Sequence, residues 1–241
     1  GRHGQGTTPQ TAHRTGIPRG RGRQQRTREA ERYGRGRHTA YPDPMRDPVT
    51  HDELDDLVLD HSRSSATEHR ALAERFLGWA EDPHPYDEPS PRELFTQAGE
   101  QLEFAGDDEG ALAAYRRAVA SHGPVALDPR CLVVDLLHRR GEHEEADRVE
   151  QELRRSRPAE TGTYEYMGSL CEELGETTRA LGWYARGLSL AERDGLPEAQ
   201  MGQLCLQRWR LRQRLGQDPD QFDEFAMDFQ ERVQRDLTRQ Q

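Results

Sequence analysis

The chain has 241 residues with 34 basic and 44 acidic side chains, giving a formal net charge of −10. Apolar residues make up 32%, and even with glycine added the fraction stays below the roughly 45–50% typical of globular domains. Part of the chain is therefore expected not to fold. No apolar run approaches the ~18 residues of a membrane span, and no apolar stretch near the start predicts a secretory signal. We therefore expect a cytoplasmic protein of one or two domains.

The basic side chains are all arginine. The sequence contains no Lys and no Asn, and Ile17 is its one Ile. Because the codons of these three amino acids are AT-rich, the composition indicates a bacterial genome of high GC content, such as that of an actinobacterium.

Positive charge is concentrated in an N-terminal arm. Residues 1–40 hold ten Arg against Glu29 and Glu31, whereas the remaining 201 residues hold 24 Arg against 42 acids. Residues 1–44, rich in Arg and Gly, have too few apolar side chains to offset the entropy of ordering, so this arm is predicted to be disordered. Two interpretations stay open: the arm contacts DNA or RNA through phosphate attraction, or it lies upstream of a true start at Met45.

Residues 45–89 are predicted to form an N-terminal helical segment followed by a Pro-rich linker. Apolar residues after Ser65 recur with a helical period, and no window shows the sustained alternation of a strand. Three hydroxyl residues stand three positions before a glutamate, as in the capping box that marks a helix start; they are Thr50 before Glu53, Ser65 before Glu68 and Ser90 before Glu93. The ordered part of the chain is therefore predicted to be all-α.

A short phrase recurs three times in the centre of the chain. It begins with Gly106, Gly141 and Gly175, which are 35 and 34 residues apart, and it continues through polar, mostly acidic residues to an alanine. Glycine at this position predicts a left-handed residue that ends one helix, and the acids that follow suit the positive end of the next helix. The phrase therefore predicts helix-turn-helix units.

Around this phrase the sequence resembles the tetratricopeptide repeat (TPR) family, whose 34-residue unit has the pattern W-x₂-L-G-x₂-Y, then A-x₃-F, then P. Residues 90–194 hold three such units, at about 92–125, 127–160 and 161–194. The second is degenerate, with Arg130 in place of the aromatic residue and Val134 in place of the glycine. The residues that carry the signature, expected to be structural, are Phe95, Gly99, Gly106, Ala111, Tyr115, Gly141, Ala146, Pro158, Tyr164, Gly168, Gly175, Ala180 and Tyr184.

The resemblance implies a solenoid in which Gly99 and Gly168 let paired helices approach. Residues 195–241 match the pattern poorly and are expected to supply capping helices, from Pro197 to Leu215 and from Asp218 to about Leu237. The four arginines of the first capping helix are expected to be a solvated surface; they are Arg208, Arg210, Arg212 and Arg214.

Catalytic and metal-binding patterns are not found. Cys131, Cys171 and Cys205 are far apart in sequence, so they are expected to be small buried thiols of a reduced protein rather than metal ligands. His138 and His143 do not match the H-E-x-x-H order, since Gly141 separates them. We expect a non-enzymatic protein with no cofactor and no bound metal.

In TPR proteins the first helices of successive units line a groove that receives a peptide or a partner helix. Carried over position by position, the partner-binding groove here would consist of Glu93, Thr96, Glu100, Glu103, Asp128, Asp135, His138, Glu165, Ser169 and Glu172. Such a groove is acidic, although these acids could equally serve only to keep the protein soluble. Because the chain has no Lys or Asn, it cannot form the carboxylate clamp by which some TPR proteins hold acidic chaperone tails.

Two functions follow as hypotheses. The first is a protein-protein interaction scaffold or adaptor whose acidic concave groove binds a basic, Arg-rich segment of another protein. The alternative is a nucleic-acid-associated regulator in which the arm binds DNA or RNA while the repeats recruit a partner. The arm could also occupy the groove of its own chain. No contact with a membrane is expected.

Overall fold

The computed structural model describes residues 46–239, so the predicted arm at 1–44 lies outside the described residues. Ten α-helices and no strands are present in the described range, which confirms the all-α prediction. Their bounds are α1 His51–Asp60, α2 Ala66–Glu81, α3 Pro91–Phe104, α4 Asp108–Ala120, α5 Arg130–Arg139, α6 His143–Ser156, α7 Thr161–Glu173, α8 Thr177–Asp194, α9 Glu198–Arg214 and α10 Gln221–Arg239.

The three predicted helix starts are correct, but only one is a full capping box. Thr50, Ser65 and Ser90 each accept a hydrogen bond from the backbone N–H three residues on, at α1, α2 and α3. Only Glu68 completes the capping box, because its carboxylate accepts a hydrogen bond from the backbone N–H of Ser65 at 2.7 Å. Glu93 instead lies 3.3 Å from the ring of His51. A capping sequence therefore predicts the helix start more reliably than it predicts where the glutamate goes.

The repeated glycines end helices as predicted. Gly106, Gly141 and Gly175 have φ of +73°, +78° and +76°, a region that only glycine enters without strain. Each lies in the three-residue connection between two consecutive helices, and such short connections make these helices antiparallel neighbours. The chain thus forms the hairpins α3–α4, α5–α6 and α7–α8, and α9 and α10 are also paired.

Side chains link the hairpins into two rows of helices. The first helices of successive hairpins, α3, α5, α7 and α9, are joined by Glu103–Arg139, Asp135–Tyr166 and Glu172–Arg214. The second helices, α4, α6 and α8, are joined by Arg116–Glu145 and by Asp147–Arg179. One hydrophobic core runs between the rows, with Tyr115, Trp183 and Tyr184 among its largest fully buried side chains.

The Pro-rich segment between α2 and α3 is held by Asp87. Its carboxylate accepts hydrogen bonds from Arg46 Nη1 at 2.8 Å and from the backbone N–H groups of Val49 and His84 at 2.8 and 2.7 Å. Burial opposes the ionisation of Asp87, but these donors lower its pKa overall. The segment before α1 is thereby fastened to the turn before α3.

Within two of the hairpins, a tyrosine ring packs directly on a glycine. A Cβ added at Gly99 would lie 2.3 Å from Tyr115 Cε1, and one added at Gly168 would lie 2.2 Å from Tyr184 Cε1. These contacts bear out the expectation that the two glycines let the helices approach. At the same places in the second hairpin, Val134 replaces the glycine and Glu150 replaces the tyrosine, and both are buried.

Replacing Gly168 with Ala should overpack the α7–α8 hairpin, because the new methyl group would overlap the Tyr184 ring. We expect the free energy of unfolding to fall by about 1–3 kcal/mol, measured by urea denaturation. Gly78→Ala is the matched control, since Gly78 is an exposed helical glycine with nothing within 4 Å of an added Cβ. This control should gain about 0.5–1 kcal/mol. Equal changes in the two variants would contradict the contact.

Candidate functional site

A polar cluster joins the first helices α3, α5 and α7. The hydroxyl of Tyr115 donates to Glu103 Oε1 at 2.5 Å, and Arg139 donates to the other oxygen of the same carboxylate. Arg139 also lies 3.5 Å from Asp135, whose carboxylate accepts a hydrogen bond from Tyr166 at 2.9 Å. We call these five residues, together with Glu100, the acidic cluster.

The phenols of the acidic cluster stay protonated. Burial raises the pKa of Tyr115, and the adjacent carboxylate of Glu103 raises it further. Burial and the charge of Asp135 raise the pKa of Tyr166 in the same way. Both hydroxyls therefore act as hydrogen-bond donors that fix the carboxylates in place.

The same device recurs in the third hairpin. The hydroxyl of Tyr184 donates to Glu172 Oε1 at 2.8 Å, and Arg214 of α9 donates to the other oxygen. Ser169 Oγ lies 3.4 Å from the same tyrosine oxygen. In both copies, a tyrosine of the second helix and an arginine of the next first helix hold one glutamate, so this glutamate is partly neutralised within the chain.

The second hairpin breaks the pattern. His138 stands where the other two hairpins have the glutamate, and its Nδ1 lies 3.2 Å from Nδ1 of His143. Burial and the neighbouring His143 lower the pKa of His138. Since the neutral form is thereby favoured, His138 adds no fixed charge to the row of first helices near neutral pH.

Two half-buried carboxylates of the first helices have no cation beside them among residues 46–239. Glu100 on α3 and Glu165 on α7 are both half-buried and form no ion pair within that range. Burial, and then the charge of Glu103, raise the pKa of Glu100 from 4.5 to about 7. Burial also raises the pKa of Glu165. These two acids are therefore where an external cation would gain most.

Three other predicted groove residues are engaged inside the structure. Thr96 is 8% exposed and its hydroxyl donates to the Arg92 carbonyl at 2.9 Å. Asp128 is 4% exposed, accepts a hydrogen bond from Arg130 Nη2 at 2.7 Å, and lies 3.5 Å from Arg92. Neither side chain offers surface to a partner. Glu93 is half-buried and contacts His51, as described above.

The expectation of a solvated arginine surface on α9 is wrong for two of its four residues. The side chains of Arg208 and Arg212 are only 12% and 18% exposed, and both pair with the buried carboxylate of Asp223. Arg214 is the partner of Glu172, and Arg210 is exposed. Arg208 and Arg212 face α10, which follows later in the chain, so their positions on α9 alone do not reveal their partners.

Residues that sequence reasoning missed are chiefly the arginines of the first helices and one buried acid. Arg139 and Arg214 neutralise groove acids from 36 and 42 residues away, a distance at which no local pattern indicates pairing. Glu150 is 1% exposed, accepts a hydrogen bond from Trp183 Nε1 at 2.9 Å, and pairs with Arg154 and Arg179. Its place in the tyrosine position of the repeat is the signal that could have revealed it.

The cysteines are buried, as expected. Cys131, Cys171 and Cys205 are free thiols, and burial raises the pKa of Cys171 and of Cys205 to about 11. Across the described residues, no three His, Cys, Asp or Glu side chains are grouped so that they could hold a metal ion. None of the helices in the same range combines the length and apolar character that crossing a bilayer requires.

Comparison of the chain with models of known protein families, with curated proteins and with solved structures gives no match.

Replacing Glu100 with Gln should change how stability depends on pH. With its pKa raised from 4.5 to about 7, native Glu100 holds its proton more tightly than the unfolded chain does, so its contribution to stability falls as the pH rises between these values. Gln removes the buried charge. We expect the variant to match the wild type near about pH 4 and to exceed it by roughly 1–3 kcal/mol at about pH 8, measured by urea denaturation.

The control is Glu74→Gln, which removes an exposed carboxylate from α2. It should leave the pH dependence of unfolding unchanged. If the change in the free energy of unfolding between the two pH values is the same in Glu100→Gln as in the wild type, another group causes it.

Proposed function

We propose that this protein is a TPR-like, non-enzymatic adaptor of the bacterial cytoplasm, and that its first helices bind a basic segment of another protein. The helical-repeat part of the proposal is supported by the 34- and 35-residue spacing of the repeated glycines, by the antiparallel hairpins and by the two rows of helices that side chains link. The glycine–tyrosine contacts support it further, because they occupy matching places in two units.

The observation that carries the binding part is the state of Glu100 and Glu165. Both carboxylates lie half-buried on first helices without a cation partner among the described residues, and burial raises both pKa values. A guanidinium from a partner would supply the missing counter-charge and would displace the bound proton of Glu100. Glu103 and Glu172 already have arginine partners. They would add to the negative electrostatic potential that attracts the partner, without contacting it directly.

Arginine is the better match for this surface than lysine. The planar guanidinium can bridge two acceptors at once, and Arg139 already does so between Glu103 and Asp135. A second guanidinium at Glu100 would continue the same pattern. We therefore propose an Arg-rich partner segment, whose association is steered by the overall negative charge and weakens as salt rises.

The test compares two double variants of equal charge in the full chain. Glu100→Gln with Glu165→Gln removes the two half-buried carboxylates that have no cation partner, and Glu74→Gln with Glu224→Gln removes two exposed ones elsewhere. Binding of a fluorescent, arginine-rich peptide of about twelve residues is measured by anisotropy, with a Glu-for-Arg peptide as the negative control. We expect the first pair to weaken binding about tenfold or more and the second less than about twofold.

This comparison separates recognition from folding. Glu100→Gln is expected to stabilise the chain, so weaker binding in the first pair cannot be attributed to unfolding. Equal losses in the two double variants would show that the peptide responds to net charge alone, and the proposed groove would then be rejected.

A further inference from the structure

An open pocket of about 620 Å³ lies at the other row of helices, between the end of α6, the start of α7 and the body of α8. Its lining holds four arginines and no carboxylate, although the chain as a whole carries a net charge of −10. The polar residues of the lining are Arg154, Arg157, Arg186, Arg193, Tyr164 and Ser189. We call this the arginine pocket.

Local carboxylates neutralise the arginine pocket only in part. Arg157 and Arg186 form no ion pair with any described residue, whereas Arg193 pairs with Asp194. Arg154 shares the single carboxylate of Glu150 with Arg179. Burial and the nearby Arg154 lower the pKa of Arg186, which means that the like charges repel one another. An anion in the pocket would relieve this repulsion.

The fold holds the side chain of Arg154 and sets the backbone conformation of Arg157. Arg154 is held between Glu150 and the ring of Trp183, with its guanidinium carbon 5.5 Å from the ring centroid, and its Nε–H is buried without an acceptor among the described atoms. Arg157 follows the last residue of α6 in the left-handed region, with φ of 52° and ψ of 66°. A non-glycine residue in this region is uncommon, and here it places a charged residue at the pocket.

The two hydroxyl groups of the pocket already donate their protons to backbone carbonyls, so they are not free to donate to a ligand. Tyr164 donates to the Pro158 carbonyl at 2.8 Å, and Ser189 donates to the Ala185 carbonyl at 3.0 Å. Some guanidinium N–H groups already donate within the chain, from Arg186 Nη1 to the Gly182 carbonyl at 2.6 Å and from Arg193 to Asp194. The other guanidinium N–H groups are the donors that remain for a ligand, and they pair in a forked geometry with phosphate or carboxylate. Several of them around one concavity favour a compact ligand with two or more negative charges.

We propose that the arginine pocket binds a small phosphate-bearing molecule. Its volume lies within the roughly 300–1,000 Å³ range of small-molecule sites, and its charges converge on one concavity instead of forming the extended basic stripe that suits a nucleic-acid strand. The lining comes from α6, Arg157, α8 and the start of the first helix α7 at Tyr164, and it includes no residue of the acidic cluster. Glu150, which replaces the tyrosine of the other two units, is the residue that positions Arg154 for this role.

The test titrates sodium pyrophosphate into the full chain by isothermal calorimetry, at a fixed salt concentration of about 0.15 M so that weak surface attraction is screened. The wild type should show saturable binding to one site. Arg157→Gln and Arg186→Gln should each weaken binding about tenfold or more. Arg70→Gln, which removes an exposed arginine of α2 with no ion-pair partner in the described range, should bind like the wild type.

Thermal unfolding with and without pyrophosphate distinguishes a loss of binding from a loss of folding in the variants. Arg157 and Arg186 form no ion pair with any described residue, so their Gln variants should fold normally, and pyrophosphate should raise the melting temperature of the wild type but not of these variants. Binding that is lost equally in Arg70→Gln, or no saturable binding by the wild type, would overturn the proposal. Tighter, Arg186-dependent binding of a single-stranded oligonucleotide than of pyrophosphate would overturn it in favour of a nucleic-acid surface.

Discussion

The packing of a tyrosine ring on a helical glycine is the contact from which the other features follow. At Gly99 and Gly168 the absence of a Cβ lets the partner helix approach until the ring covers the backbone. The ring then points its hydroxyl at a glutamate of the first helix, twelve residues before the tyrosine. Because this glutamate is held on one side by the phenol, its second oxygen is free to accept an arginine from the next hairpin. One apolar contact thus determines both the hairpin and the link to its neighbour.

The second hairpin shows what happens when this contact is exchanged. Val134 takes the place of the glycine and Glu150 takes the place of the tyrosine, and both are buried. A buried carboxylate needs cations and donors, which Arg154, Arg179 and Trp183 supply. The exchange therefore draws arginines to the second row of helices, while the first row loses a glutamate to His138. Of the four arginines in the proposed phosphate pocket, Arg154 is the one that this exchange holds in place.

The sequence predicted the parts of this structure that local physics controls. Helix starts at Thr50, Ser65 and Ser90 and helix ends at the repeated glycines depend on neighbouring residues, so they could be deduced from spacing. The character of the candidate site could not. Whether Glu103 is free or paired depends on Arg139, 36 residues later, and Asp223 buries Arg208 and Arg212 from a helix that follows them. Long arginine side chains can reach any neighbouring helix, so their partners depend on how the hairpins pack.

The pairs Glu103–Arg139 and Glu172–Arg214, which link neighbouring first helices, are ionic, whereas the tyrosine–glycine contacts that close the first and third hairpins are apolar. Ions in solution weaken the attraction of Glu103 for Arg139 and of Glu172 for Arg214, which are partly exposed pairs, but they leave a ring on a glycine untouched. The attraction between neighbouring hairpins therefore depends partly on ionic strength, whereas the tyrosine–glycine packing within the first and third hairpins does not.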